Sequence, residues 1–194
     1  MITMTTNDRP RLAAVELLLR QRLHSLFFDV NKLKLDRTVI YKSYRKYCME
    51  TNQTVAGLSY SLRDGFTIMS ADGTGGFIVL YNDEVRSLRR QNFTLAHELG
   101  HIYLGHKDDG EKNEAEANRF ASELLMPSIL VRELAVRYKR PLLPVDLQEV
   151  FSVSSQAAVR KLYNIGIADS DKDKELLKKF GTLLPNPGEP HVNL

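Results

Sequence analysis

The chain has 194 residues, 43% of them hydrophobic and 26% charged, and a formal net charge of +3. This is the make-up of an ordinary globular protein of one or two domains, long enough to bury a real core. The weak positive charge permits contact with nucleic acid without arguing for it, and Cys48, the only cysteine, excludes a disulfide framework and a thiolate metal cluster.

Residues 1–8 are polar. Beyond them Leu12, Val15, Leu19, Leu23, Leu26 and Phe27 recur at steps of three and four, which predicts an amphipathic helix over residues 10–28 with Pro10 in its first turn. Glu16 and Arg20 interrupt the apolar run and no small-residue cleavage site follows, so this is not read as a signal peptide. Nowhere are there the ~18 consecutive apolar residues of a membrane span. No membrane association is expected, and a cytoplasmic location is. A second helix is predicted after Asp36, carrying Val39, Ile40, Tyr44, Tyr47 and Cys48, with Lys42, Arg45 and Lys46 as a solvated basic face. Residues 55–60, 66–70 and 77–81 are short β-prone runs. The turn compositions Arg63-Asp64-Gly65 and Asp72-Gly73-Thr74-Gly75-Gly76 separate them, which predicts a small three-stranded antiparallel sheet. The glycine cluster lacks the Gly-Lys-Ser/Thr ending of a phosphate loop and reads as a hairpin.

Chemistry enters with Phe93-Thr94-Leu95-Ala96-His97-Glu98-Leu99-Gly100-His101, which contains an H-E-x-x-H motif. Residues four apart share one face of a helix, so His97 and His101 can hold one metal ion without bending the backbone. Glu98 is then placed to take the proton of a water that a Zn²⁺ ion acidifies to a pKa near ~7. Gly100 costs about 1 kcal/mol of helix propensity relative to alanine, and the reason to keep it is close packing of another element.

A catalytic zinc takes a third protein ligand. The extended pattern H-E-x-x-H-x-x-G-x-x-H fails, because Leu104 and Lys107 stand where glycine and histidine are required; His106 is read as a polar residue just past the helix end. The next predicted helix, over residues 114–127, has Ala117, Phe120, Ala121, Leu124 and Leu125 on its apolar face. Projecting that face backwards places Glu114 and Asn118 inward, and Glu116 with Asn113 and Glu123 toward solvent. Glu114 is thereby favoured over Glu116 as the ligand. One turn along, Asn118 can accept the free ring N–H of a ligating histidine.

These two segments, together with Leu124-Leu125-Met126-Pro127, resemble the ImmA/IrrE family of zinc metallo-endopeptidases over roughly residues 53–127. The resemblance implies an α+β, gluzincin-like fold with zinc held by His97, His101 and Glu114. It also implies a cytoplasmic protease whose substrate is a DNA-binding repressor of the helix-turn-helix type, so that cleavage derepresses the repressor's target genes. In length the chain is similar to the short members found in phages and mobile elements. The edge of the sheet, expected at residues 77–81, is the place for an extended substrate backbone. Tyr103 and His106 are nearby candidates for stabilising an oxyanion. The rival reading is a regulator that uses the same core to sequester a repressor or touch DNA without cutting. A pure scaffold needs ligands and no general base, and Glu98 argues against it.

Downstream, residues 129–138 read as a helix stopped by Arg140-Pro141, and residues 146–167 have a helix-turn-helix cadence with Ser154 as an N-cap. Gln156, Arg160 and Lys161 would face a DNA groove in that reading. Two basic residues make a thin phosphate grip, so a structural or substrate-recognition role is favoured and DNA binding is not. The expected division is 1–127 as a metallopeptidase core with N-terminal helices, 128–169 as a helix-turn-helix-like unit, and 170–194 as a loose helix and tail.

Overall fold

The structure is a computed structural model and describes residues 8–57, 64–69, 75–166 and 168–187. Helix α1 (Arg9–Leu19) starts with proline in its first turn and is shorter than its apolar period. Gln21 ends it. Its side-chain amide donates to Leu17 O at 2.9 Å and Lys34 O at 3.0 Å, and its Oε1 accepts from Lys34 N at 2.9 Å. Those bonds close the helix and pin the returning chain, while Leu26 stays in the core without being helical.

The segment after Asp36 departs from expectation. Its first residues form strand β1 (Val39–Ser43), and only then does helix α2 (Tyr44–Thr51) begin, with Ser43 Oγ accepting from Lys46 N at 3.2 Å as N-cap. Thr38, Val39 and Ile40 are three β-branched residues in a row, so the strand is the better local solution. Strands β2 (Gly65–Met69) and β3 (Phe77–Tyr81) form where expected. The sheet order is β1-β3-β2, with β1 parallel to β3 (Val39 opposite Phe77) and β2 antiparallel to it (Gly65 opposite Tyr81). The sheet is therefore mixed rather than antiparallel, and Phe77–Tyr81 is its centre rather than its edge. The run Phe77-Ile78-Val79-Leu80-Tyr81 has the continuous apolar character of a central strand, and Val79 and Leu80 are fully buried. Of the strand expected at 55–60, Val55–Gly57 is a 3-10 turn; the remainder falls outside the described residues. Two of the three cations of the basic face are paired: Lys42 with Glu50, and Arg45 3.2 Å from Glu84 and 3.6 Å from Asp83.

Helices α3 (Leu88–Leu104) and α4 (Glu111–Leu125) pack against each other more extensively than any other two elements, and α3 also lies on the sheet. Then come α5 (Ser128–Tyr138), α6 (Pro144–Phe151), α7 (Ser155–Tyr163) and α8 (Asp171–Phe180). Ser154 does cap α7, accepting from Ala157 N at 3.2 Å. Lys161 is not on an exposed groove-reading face: it is buried, with its Nζ 2.7 Å from Glu123 Oε1 and 2.9 Å from Ser128 Oγ. Glu123 is buried with it, against the solvent position expected. Helix α8 is not loose. Leu176 and Phe180 are in the core, and buried Asp173 accepts two bonds from Arg11 of α1 at 2.6 and 2.7 Å. One apolar cluster extends from Ala14 to Leu184. Among the described residues no helix is long and apolar enough to cross a membrane.

Candidate metal centre

Ser87 caps α3, and the helix buries Leu95, Ala96, Leu99 and Ile102. This orientation carries His97, Glu98 and His101 to the side facing α4 and β2, where they line a cleft of about 1100 Å3. Gly100 lets α4 come close. A Cβ there would lie 3.0 Å from Ala117 Cα, 3.1 Å from Ala117 O and 3.2 Å from Phe120 Cβ. The approach brings Glu114, in the first turn of α4, over the two histidines. His97 Nε2 is 3.0 Å from His101 Nε2 and 3.3 Å from Glu114 Oε2, and His101 Nε2 is 3.5 Å from Glu114 Oε1. Glu116, the alternative ligand, is elsewhere: it lies 3.2 Å from His106 Nε2.

With all three rings neutral, the hydrogen bonds around the histidines set which ring nitrogens carry protons. Asn118 Oδ1 lies 3.1 Å from His97 Nδ1; a carbonyl oxygen only accepts, so Nδ1 holds the hydrogen and Nε2 presents a lone pair. The Glu116 carboxylate likewise takes the Nε2–H of His106, leaving His106 Nδ1 as acceptor. His101 Nδ1, 3.2 Å away, donates to it, and His101 Nε2 also presents a lone pair. Three electron-pair donors thus converge with no hydrogen between them, an arrangement that repels itself unless a cation occupies the middle. The two nitrogens are 3.0 Å apart and each lies 3.3–3.5 Å from one of the two Glu114 carboxylate oxygens, close to the ~3.3 Å edge of a tetrahedron with bonds of about 2.0–2.1 Å, the zinc–nitrogen distance. The residues fit a metal. Burial pushes the His97 imidazole below its ordinary value against the upward pull of Glu114. Burial and then the neighbouring His97 do the same to His101. Both rings are held in the neutral form that ligation requires.

Glu98 is buried beside this group, and its Oε2 accepts from Thr67 Oγ1 at 2.7 Å. Gly65 makes that contact possible. A Cβ at this position would come within 2.6 Å of Thr94 Cγ2 and 2.8 Å of Leu80 O, which would force β2 away from α3.

Two supporting residues escape sequence reading. Thr67 carries a weak signal, as the polar residue between Phe66 and Ile68 on a strand. His106 is more than a polar residue past the helix end: Gly105 at φ 68° turns the chain left-handed, His106 N donates to His101 O at 3.0 Å, and the ring folds back onto His101. Neither candidate for the oxyanion is available. Tyr103 donates its hydroxyl to Asp36 Oδ1 at 2.8 Å, and burial together with that bond raises its pKa to about 12. His106 has both nitrogens engaged with His101 and Glu116.

No curated protein matches the chain. A family model described as the IrrE N-terminal-like domain of the M78 peptidases matches residues 52–163, which include both segments of the centre and more than half of the sequence. The chain belongs to this ImmA/IrrE family of metallopeptidases.

Proposed function

We propose that the protein is a zinc-dependent endopeptidase that cleaves a helix-turn-helix repressor and so acts as an anti-repressor, releasing the genes that repressor holds silent. The observation that carries the catalytic part is Glu98, buried and oriented by Thr67, beside the convergence of His97, His101 and Glu114. A scaffold that only bound metal would have no use for that carboxylate. When bound, zinc supplies Lewis acidity, lowering the pKa of a water and polarising the scissile carbonyl. Glu98 removes the proton of the attacking water and carries it to the departing amine. Thr67 keeps the carboxylate turned toward that exchange, while Asn118 and the His106–Glu116 pair keep the two imidazoles aimed inward. An extended substrate lies along β2, an edge of the sheet among the described residues, whose Gly65, Phe66, Thr67 and Met69 line the cleft. The repressor as substrate rests on the family resemblance.

The test is Glu98→Gln. Protein purified without chelator should contain about one zinc per chain, and the variant should keep it. Cleavage of the repressor encoded beside the protein should fall by about 10²–10⁴-fold, the usual worth of a general acid–base group. A zinc-loaded Glu98→Gln protein that still derepresses the target genes at the wild-type level would show that proteolysis is not the mechanism.

A further inference from the structure

Next to the metal cleft is a second cavity of about 810 Å3. The two share Asp64, Phe93 and Thr94 in their walls, and Asn118, which bonds His97, lines the second. The two cavities adjoin along those three residues. The far wall of the second cavity is one face of α7, with Ser154, Gln156 and Arg160 along it. Gln156 and Arg160 are residues that a helix-turn-helix would turn to a DNA groove. Here they line a cavity that adjoins the metal cleft, and the third such residue, Lys161, is buried.

Four charged side chains line this second cavity: Asp64, Arg90, Arg119 and Arg160. Arg90 is held by Asp64, with Nη2 2.9 Å from Oδ1. Arg119 is 2.7 Å from Asp8 and 3.8 Å from Glu123. Arg160 is exposed and has no carboxylate partner among the described residues. Once the internal pairs cancel, its guanidinium is the uncompensated charge of the wall, and it offers the fork geometry that recognises a carboxylate.

We propose that this cavity receives the substrate segment on one side of the scissile bond, and that Arg160 selects a substrate residue there bearing a carboxylate. The proposal rests on the endopeptidase reading. A peptide is favoured over DNA because the face of α7 in question lines a cavity adjoining the metal cleft. A duplex would require a projecting helix and several cations.

The experiment has two arms. In the first, zinc-loaded protein is incubated with a library of blocked random-sequence peptides and the new termini are sequenced by mass spectrometry. Wild-type cleavage sites should be enriched in Asp and Glu at one fixed position. Arg160→Gln should erase the enrichment, and Arg160→Glu should reverse it toward Lys and Arg, by about fivefold each way for one partly solvated ion pair. Reversal is a gain that misfolding cannot produce. In the second arm, the same library is passed over immobilised, zinc-loaded Glu98→Gln protein with and without Arg160→Glu; acidic peptides should be retained only where Arg160 is present. If the library is cut without an acidic position, or with one that Arg160→Glu leaves in place, the cavity assignment falls and the endopeptidase reading stands. If nothing is cut but acidic peptides are retained through Arg160, the cavity binds carboxylate-bearing peptides, and its placement beside a scissile bond falls with the endopeptidase reading. If neither occurs, both fall. Retention of random duplex DNA through Arg160, with no peptide retained, overturns the assignment in favour of DNA.

Discussion

His106 offers a way to weaken the metal centre without touching a ligand. It accepts the His101 Nδ1–H and passes its own Nε2–H to Glu116, so its removal frees the His101 ring to rotate and lowers that ring's basicity. Partners of this kind are typically worth about 10–100-fold in metal affinity. His106→Ala should weaken zinc binding by about that factor in a competition titration with a chromophoric chelator. Glu116→Ala should move affinity the same way by less, and Glu114→Ala should abolish stoichiometric binding. Unchanged affinity in His106→Ala would refute the orienting role. At this scale the sequence is legible where spacing alone decides geometry. His97, Glu98 and His101 lie within one turn of a single helix, and the apolar period of α4 puts Glu114 and Asn118 on the facing side. Thr67 and His106 are not legible in the same way. One depends on how closely β2 packs on α3, the other on the left-handed turn at Gly105.

The pairing of α3 with α4 sets how the site is assembled, and Gly100 sets the pairing. Gly100→Ala gains about 1 kcal/mol of helix propensity, but the added methyl meets the backbone of Ala117 at 3.0 and 3.1 Å, and backbone cannot swing aside. Overpacking of this kind costs about 1–3 kcal/mol, so the variant should be net destabilised by about 1 kcal/mol. Because Glu114 is one turn from Ala117, a displaced α4 should also loosen zinc. A Gly100→Ala protein more stable than wild type with undiminished zinc affinity would show that the contact is slack. The helices are legible from their apolar period, and the sheet is only partly so. Residues 39–51 carry a strand and a helix back to back, and a helical window over both blurs the boundary at Ser43. The parallel pairing of β1 with β3 is a long-range choice that local turn composition does not encode, whereas the unbroken apolar run of residues 77–81 signals a central strand.

Across the whole molecule α4 is the shared bar. Glu114 in its first turn faces the histidines, and Glu123 in its last receives the Lys161 ammonium of α7 at 2.7 Å and the Ser128 amide and hydroxyl of α5 at 2.9 and 2.6 Å. Burial pushes the Lys161 ammonium down, and the Glu123 carboxylate holds it up. This network fastens the α6–α7 pair to the catalytic half and fixes the wall on which Arg160 stands. Replacing one member of a buried pair typically costs about 3–5 kcal/mol; Ser128 still donates to Glu123 and Arg119 stays 3.8 Å from it, so Lys161→Met should cost about 3 kcal/mol in urea unfolding. Adding Glu123→Leu and Ser128→Ala removes the acid and its other donor, and most of the loss should return, because an apolar replacement of a whole buried pair is often neutral. Hydrogen exchange should then locate the damage. In Lys161→Met the amides of α6 and α7 should exchange faster, while those of α3 keep their protection and zinc stays bound. A loss below about 1 kcal/mol, the worth of an exposed pair, would mean that apolar contacts alone hold the two halves together and that the buried lysine is a bystander.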